Sequence, residues 1–457
     1  MLLHSSSIHW PAGTEALGFE NLEGLVLLKG TLRGRLDADT TGPLALDTGA
    51  GYLALDHGLA GRLGLADSAG APDAVRLTDH PLPRLTLGGW ILEQIDPVLT
   101  VDGEVIRRVS DRPVLGLLGQ APLGGRIVWI DYREQVLAMI PGGGAADTIA
   151  SVVSAGTNTV AGESLRDRAT PAPAGTARER ATHATGGSTR DDGAAAASLS
   201  RSRAQLAEVL SSRAIAVRFL LVGDGKILIR GAVADPSPPD FSRRLNLIVD
   251  TGATKCVLFE DAIATSVRHA DRWPALRGLA APTLIGSATA RIARIPVVEL
   301  ETARGPLRET DVDVGVIRSD LSQVLSRVTH ETIHGLIGYS LLKRFRLAID
   351  YPDRVLWLDP IPGYRDDRPL EYCHVGLQLE RRAGAVVVTG VVEDSPAAHA
   401  GISPGDELMA LDGIDAATAD LIDLIRHMEG EPGRSVTLVL RRSANARTVR
   451  LVRRRLL

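Results

Sequence analysis

Two cysteines, Cys256 and Cys373, are all that 457 residues contain. They cannot build a disulfide framework and fall in different expected domains, so both are read as reduced. Cys256 follows an acidic turn but has no identifiable His partner, which makes it a small core residue and not a nucleophile. Long apolar runs are missing too: none approaches the roughly 18 residues that a membrane span requires. Met1 to Pro11 holds neither a basic n-region nor an apolar h-region, so no signal peptide is read there. The formal net charge is only −4, and no overall field draws nucleic acid or an anionic membrane. Between Gly142 and Leu206 large apolar side chains almost vanish in favour of Ala, Thr, Ser, Gly and Arg. Such a stretch cannot bury enough surface to offset its ordering entropy, so 142–200 is expected to be a disordered linker, followed by a short helix over 201–212.

What remains is globular, with 44% hydrophobic residues and room for about three domains of about 150 residues each. The outstanding feature is a repeat. Leu44-Ala45-Leu46-Asp47-Thr48-Gly49-Ala50 returns as Leu247-Ile248-Val249-Asp250-Thr251-Gly252-Ala253. Each time an apolar run fit for a buried strand leads into a carboxylate. A buried carboxylate is costly unless its lone pairs are met, so a chain that places two of them this way uses them. Gly116-Leu117-Leu118-Gly119 likewise returns as Gly335-Leu336-Ile337-Gly338, and from there 116–141 aligns with 335–360 without a gap. Asp131-Tyr132 answers Asp350-Tyr351, and Pro141 answers Pro360.

Two D-T-G-A turns, each followed by an apolar G-x-x-G segment, resemble the retropepsin-like aspartic peptidases. The resemblance implies a mainly β protein with two β-barrel lobes, 19–141 and 213–360, joined by the linker 142–212. It also implies a shared site at their junction. Metal-free peptide hydrolysis needs a water activated on one side and a carbonyl oxygen protonated on the other, which two carboxyls sharing one proton supply. Asp47 and Asp250 are the expected pair, titrating as a unit and favouring acid to mildly acid pH. Thr48 and Thr251 can bond across the lobes through their hydroxyls, while Gly49 and Gly252 bring backbone N–H groups to the carboxylates. In the family the G-x-x-G strand passes close to the catalytic loop, which accounts for Gly116, Gly119, Gly335 and Gly338. No cofactor or metal is required. As a flexible coil the linker spans about 45 Å, so the lobes can pair within one chain, and pairing in a homodimer stays open. Related bacterial proteins are often exported, which makes a periplasmic or exported location the implied one.

Leu85 to Leu92 reads as a hairpin around Gly88-Gly89. The path from Asp250 to Gly335 is sixteen residues longer than that from Asp47 to Gly116, and the helical pattern over 319–327 is the place for the surplus. Flaps over the substrate are expected in 67–73 and 278–286. His330-Glu331-Thr332-Ile333-His334 matches the HExxH zinc-peptidase pattern. Gly335, however, starts the repeat strand, which puts His334 at an element boundary, and no third ligand follows at a usable spacing. Zinc chemistry is therefore the lesser alternative, and a helix end the favoured reading.

After a connector over 361–369, residues 372–457 form a third unit. Ser395 caps a short helix starting at Pro396, Gly401 stops it, and Leu421, Leu424, Ile425 and Met428 mark one helical face. Ser395-Pro396-Ala397-Ala398 with Gly401 and Gly405-Asp406-Glu407-Leu408 resembles a PDZ domain of bacterial exported proteases. That resemblance implies a peptide-binding loop at Val375, Gly376 and Leu377, whose N–H groups receive a peptide C-terminus. Cys373-His374 ahead of the loop departs from the pattern and leaves its preference open. The basic tail from Arg441 to Arg455 alternates with apolar residues and reads as a solvated face, not a nucleic-acid site. The combined expectation is an aspartic endopeptidase acting on polypeptides. Its rival is a peptide-binding scaffold whose lobes no longer cut.

Overall fold

The computed structural model describes residues 8–36, 39–66, 75–104, 107, 110–142, 188–234, 244–266, 270–283 and 286–457. Strands dominate, arranged as two β lobes and a small α+β C-terminal domain.

In lobe one the strand Asp39–Leu46 delivers Asp47, and the chain turns into the strand Leu53–Asp56. The strand Gly116–Leu118 lies between them, parallel to the first through Gly116↔Leu44 and Leu118↔Leu46 and antiparallel to the second. Lobe two repeats this with Leu245–Val249, Cys256–Phe259 and Gly335–Ile337, paired as Leu247↔Gly335 and Val249↔Ile337. Leu44, Ala45 and Leu46 are all buried, as are Leu247, Ile248 and Val249. Strands covered on both faces carry apolar residues without alternation, which is why these runs are continuous.

The gapless part of the repeat builds the joint between lobes. Arg126–Asp131 pairs antiparallel with Phe345–Asp350 through Val128↔Ile349 and Trp129↔Ala348, at the centre of a six-stranded sheet to which both halves contribute. Side chains alternate across it. Val128, Ile130, Leu347 and Ile349 enter the main core, which runs through both lobes, while Ile127, Trp129 and Ala348 face outward. The helix Ser188–Gln205 and the turn after it belong to this outer face. Leu206, Val209 and Leu210 pack there, Trp357 Nε1 donates to Ser202 Oγ at 2.8 Å, and Ser198 Oγ donates to the Asp353 carbonyl at 2.9 Å. The helix thus begins thirteen residues earlier than the expected one at 201 and takes in the end of the stretch read as linker. Burying Leu206 and its neighbours against Trp129 contributes about 1.5–3 kcal/mol per large side chain, enough to order a polar helix with poor intrinsic amphipathicity. The remainder of that stretch, 143–187, lies outside the described residues.

Leu82–Leu87 and Trp90–Ile95 form the expected hairpin around Gly88-Gly89. Of the second flap candidate, 278–286, the described residues belong to the end of a long hairpin, Ala275–Thr283 with Gly286–Leu300, and 284–285 lie outside the described residues. Residues 67–73 lie outside the described residues. The surplus in lobe two includes the helix Leu321–Thr329.

In the C-terminal domain the sheet runs in the order Leu377–Arg382, Ala385–Val391, Glu407–Leu411, Ser435–Arg442, Asn445–Val452. Ser395 caps the helix Pro396–His399, its Oγ accepting from Ala398 N, and Asp420 caps Leu421–Met428. Leu421, Leu424 and Met428 enter a core with Leu408 and Leu438. Tail arginines are engaged within the domain: Arg442 with Asp406, and Arg453 with the carbonyls of Met428 and Ser435. Among the described residues no helix is long and apolar enough to cross a membrane.

Candidate active site

Each acidic turn is built locally and then locked to the other. Gly49 N donates to Asp47 Oδ1 at 2.8 Å and Ala50 N to the same atom at 3.0 Å. In the second turn Gly252 N donates to Asp250 Oδ1 at 2.8 Å. The threonines cross the junction. Thr48 Oγ1 donates to the Val249 carbonyl at 2.9 Å and accepts from Thr251 N at 3.0 Å. Thr251 Oγ1 reciprocates, donating to the Leu46 carbonyl at 3.0 Å and accepting from Thr48 N at 3.1 Å. Two bonds between these fully buried threonines, and one from each hydroxyl to a carbonyl of the opposite strand, hold the loops at one separation. Gln120 Nε2 adds a donor to the Thr48 carbonyl.

The carboxyls of Asp47 and Asp250 are thereby brought into hydrogen-bond contact with each other. A Cβ placed on Gly49 would lie 2.7 Å from Asp250 Cγ, and one on Gly252 would lie 2.8 Å from Asp47 Cγ. Only glycine leaves room for the facing acid. Burial, followed by the charge of Asp47, raises Asp250 well above the ordinary carboxylate range. Burial also raises Asp47, opposed by the Asp250 hydrogen bond, by Lys226 and by its two backbone N–H donors. Both carboxyls are thus pushed toward the protonated form and titrate together as a pair.

The G-x-x-G glycines lie against the strands that follow the turns. A Cβ on Gly116 would sit 2.0 Å from the Ala54 carbonyl oxygen, and one on Gly335 would sit 2.2 Å from that of Val257. Gly119 and Gly338 approach the carbonyls of Tyr52 and Lys255 as closely. Asp131 and Asp350 do different work. Asp131 Oδ1 accepts from Arg133 N and Glu134 N, and Asp350 Oδ1 accepts from Asp353 N, so both tie down hairpin turns.

Three contributors were not singled out from the sequence. Lys226, buried on strand Lys226–Ala234, holds Asp224 at 2.6 Å and lowers both site carboxyls. Tyr339 packs edge-on to Tyr132, with ring centroids 5.0 Å apart, and accepts from Asn21 Nδ2 at 3.2 Å. The third is the C-terminal domain itself, whose Ile422 is buried among Leu22, Leu27, Ala45 and Leu117 of lobe one. A cavity of about 1130 Å³ runs from Asp47 and Asp250 to Leu377, Leu379 and Ile425 of that domain.

The remaining expectations divide. In the HExxH segment the helix stops at Thr329, and His330 caps it in the left-handed region at φ 56°. The two His therefore do not stand one turn apart on a helix face, because the repeat strand claims the chain at Gly335. His334 accepts from Asn246 N at Nδ1, and among the described residues no cluster of His, Cys, Asp and Glu could hold a metal. Cys256 and Cys373 are free and buried, and burial pushes the Cys256 thiol up. Val375, Gly376 and Leu377 lead into the edge strand as expected, but Gly376 N donates to His374 Nδ1 at 3.0 Å.

Residues 387–442 match the PDZ domain family, and the C-terminal unit is such a domain, a type that binds peptides. A curated relative, the probable CtpA-like serine protease of Staphylococcus haemolyticus, is 23% identical over 95 residues, which is 21% of this chain and 19% of that protein. The chain thus spans about a fifth of the length of that relative. Among solved structures, the PDZ domain of a carboxy-terminal protease from Vibrio cholerae in complex with peptide is 22% identical. It covers 18% of this chain and 93% of its own, with a TM-score of 0.17. The aspartic proteinase from Irpex lacteus is 10% identical over 77% of this chain and 98% of its own, with a TM-score of 0.40.

Proposed function

We propose that the chain is an aspartic-type endopeptidase whose PDZ domain binds polypeptide. The observation that carries the reading is the contact between the Asp47 and Asp250 carboxyls, from two copies of one motif, held by a reciprocal threonine lock. Asp47 takes a proton from a water lodged between the acids, and the water oxygen bonds to the scissile carbonyl carbon. Asp250 gives its proton to the carbonyl oxygen. The resulting diol collapses as the C–N bond breaks, the amine nitrogen takes a proton from the Asp47 side, and a diol hydroxyl returns one to Asp250. Thr48, Thr251, Gly49 and Gly252 are positioning residues in this scheme. The G-x-x-G glycines let the strands close behind them.

A second reading is a serine-type protease, favoured by the name of the curated relative. One experiment separates the two. Cleavage of an unfolded protein at pH 4–6 is measured for the unsubstituted chain and for Asp47→Asn, alongside labelling with a serine-directed fluorophosphonate. The aspartic reading expects a rate loss of about 10²–10⁴-fold and no labelling. Retained cleavage with labelling supports the serine reading, and no cleavage by either chain supports a binding scaffold.

A further inference from the structure

PDZ domains take peptides by strand addition, an extended segment pairing with a free sheet edge beside a helix. Here that edge is Leu377–Arg382, first in the sheet and in contact with the helix Leu421–Met428. The loop leading into it has already used a donor. Gly376 N–H is given to His374 Nδ1, and the acceptor is a neutral imidazole, because burial pushes His374 down to about 4, with Arg368 acting in the same direction and Glu371 opposing. Neither of those charges is free. Glu371 holds Lys255 at 2.5 Å, and Arg368 is paired with Glu23 and Glu429. A terminal carboxylate would arrive at a satisfied donor beside neutralised cations, without the charge-assisted bonds that offset its desolvation.

The groove also opens onto the acidic pair. Leu377, Leu379 and Ile425 line the same cavity as Asp47 and Asp250, and its volume exceeds the roughly 300–1,000 Å³ of a small-molecule pocket. The side-chain amide of Gln378 fixes the spacing, accepting from Ala280 N at 3.0 Å and donating to the Ala280 carbonyl at 2.6 Å. The edge strand is thereby tied to the hairpin that walls the cleft.

We infer that groove and cleft are one binding site for a single extended polypeptide segment, taken by internal sequence and not by its C-terminus. The segment pairs with Leu377–Arg382, sets apolar side chains against Leu377, Leu379 and Ile425, and continues across Asp47 and Asp250. The last step rests on the aspartic reading, whereas the preference for internal sequence does not. Binding is therefore read by fluorescence anisotropy on the full Asp47→Asn chain, where turnover plays no part. One apolar-rich peptide is offered as free acid, as amide and embedded midway in a longer chain. The three Kd values are expected to agree within about threefold, and a preference above about tenfold for the free acid overturns the inference. Shortening the peptide to the length of the edge strand should weaken binding at least about tenfold. Unchanged affinity would mean that the groove works apart from the cleft, which also overturns it. His374→Ala, which frees the Gly376 N–H, is expected to create a preference of about tenfold for the free acid.

Discussion

Asp250 and Lys226 show how single residues tune the cleft. The Asp250 carboxyl is raised by burial and by Asp47, and Lys226, held between Asp224 and the pair, pulls in the other direction without winning. A carboxyl whose folded pKa is raised binds its proton more tightly in the native state than in the unfolded one. Its contribution to stability is full below the unfolded value near 4 and is lost as pH rises from there through the folded value. Asp250→Asn removes that loss while keeping a neutral group that can donate to Asp47. The variant is expected to melt at a higher temperature than the unsubstituted chain at pH 7, with the gap closing at pH 3.5. Equal melting at both pH values would show that the pair is not proton-sharing. Lys226 was not legible as a site residue because it reads as one charge at the start of an apolar strand. Antiparallel pairing of its strand with Leu245–Val249 carries it toward Asp250, and the junction of the lobes adds Asp47.

At the scale of strands, the repeat was legible because both halves solve the same steric problem. Gly116 and Gly335 each pass a neighbouring carbonyl at a distance no Cβ tolerates, so the glycine has to recur wherever the crossing recurs. Gly335→Ala is expected to cost at least about 1–3 kcal/mol, since the obstacle is the Val257 backbone and not a side chain that could swing away. Gly61→Ala, in the helix His57–Arg62 with nothing near its Cβ position, is the control and should gain about 0.5–1 kcal/mol. Urea midpoints of the two variants check this, and a Gly335→Ala chain as stable as the control would dismiss the crossing argument. Elements governed by long-range contact were less legible. The helix Ser188–Gln205 looked like linker by composition, because its order comes from Trp129 and Trp357 on a distant sheet. The HExxH segment, by contrast, was legible as a helix end, because the repeat already placed a strand at Gly335, and the helix stops at Thr329.

For the molecule as a whole, the PDZ domain is a bridge between the lobes, and nothing in its sequence announced that. Toward lobe one, Arg381 Nε meets Asp111 at 2.8 Å, Arg112 meets Asp420 at 2.6 Å, and Ile422 fills an apolar patch. Toward lobe two, Gln378 clasps Ala280 and Glu393 N donates to the Arg277 carbonyl. A Cβ on Gly278 would fall 2.4 Å from the Val391 oxygen, so the hairpin and the PDZ sheet are in tight backbone contact. Asp111 is the point where this bridge can be tested with least damage to either body. Its Oδ2 also accepts from Leu421 N, at the start of the PDZ helix. Asp111→Lys removes both bonds and sets a cation against Arg381, at a cost of about 1.5–3 kcal/mol for the charge-assisted contact. Amide exchange should quicken in Leu22–Leu27 and in Leu421–Met428 together, because the two segments cover each other. Adding Arg381→Asp should restore part of the protection in both, although Arg381 also serves the carbonyls of Ala416 and Ala419. Quickening confined to the PDZ domain would mean that the contact stabilises that domain alone. The cleft would then lack a braced wall on that side.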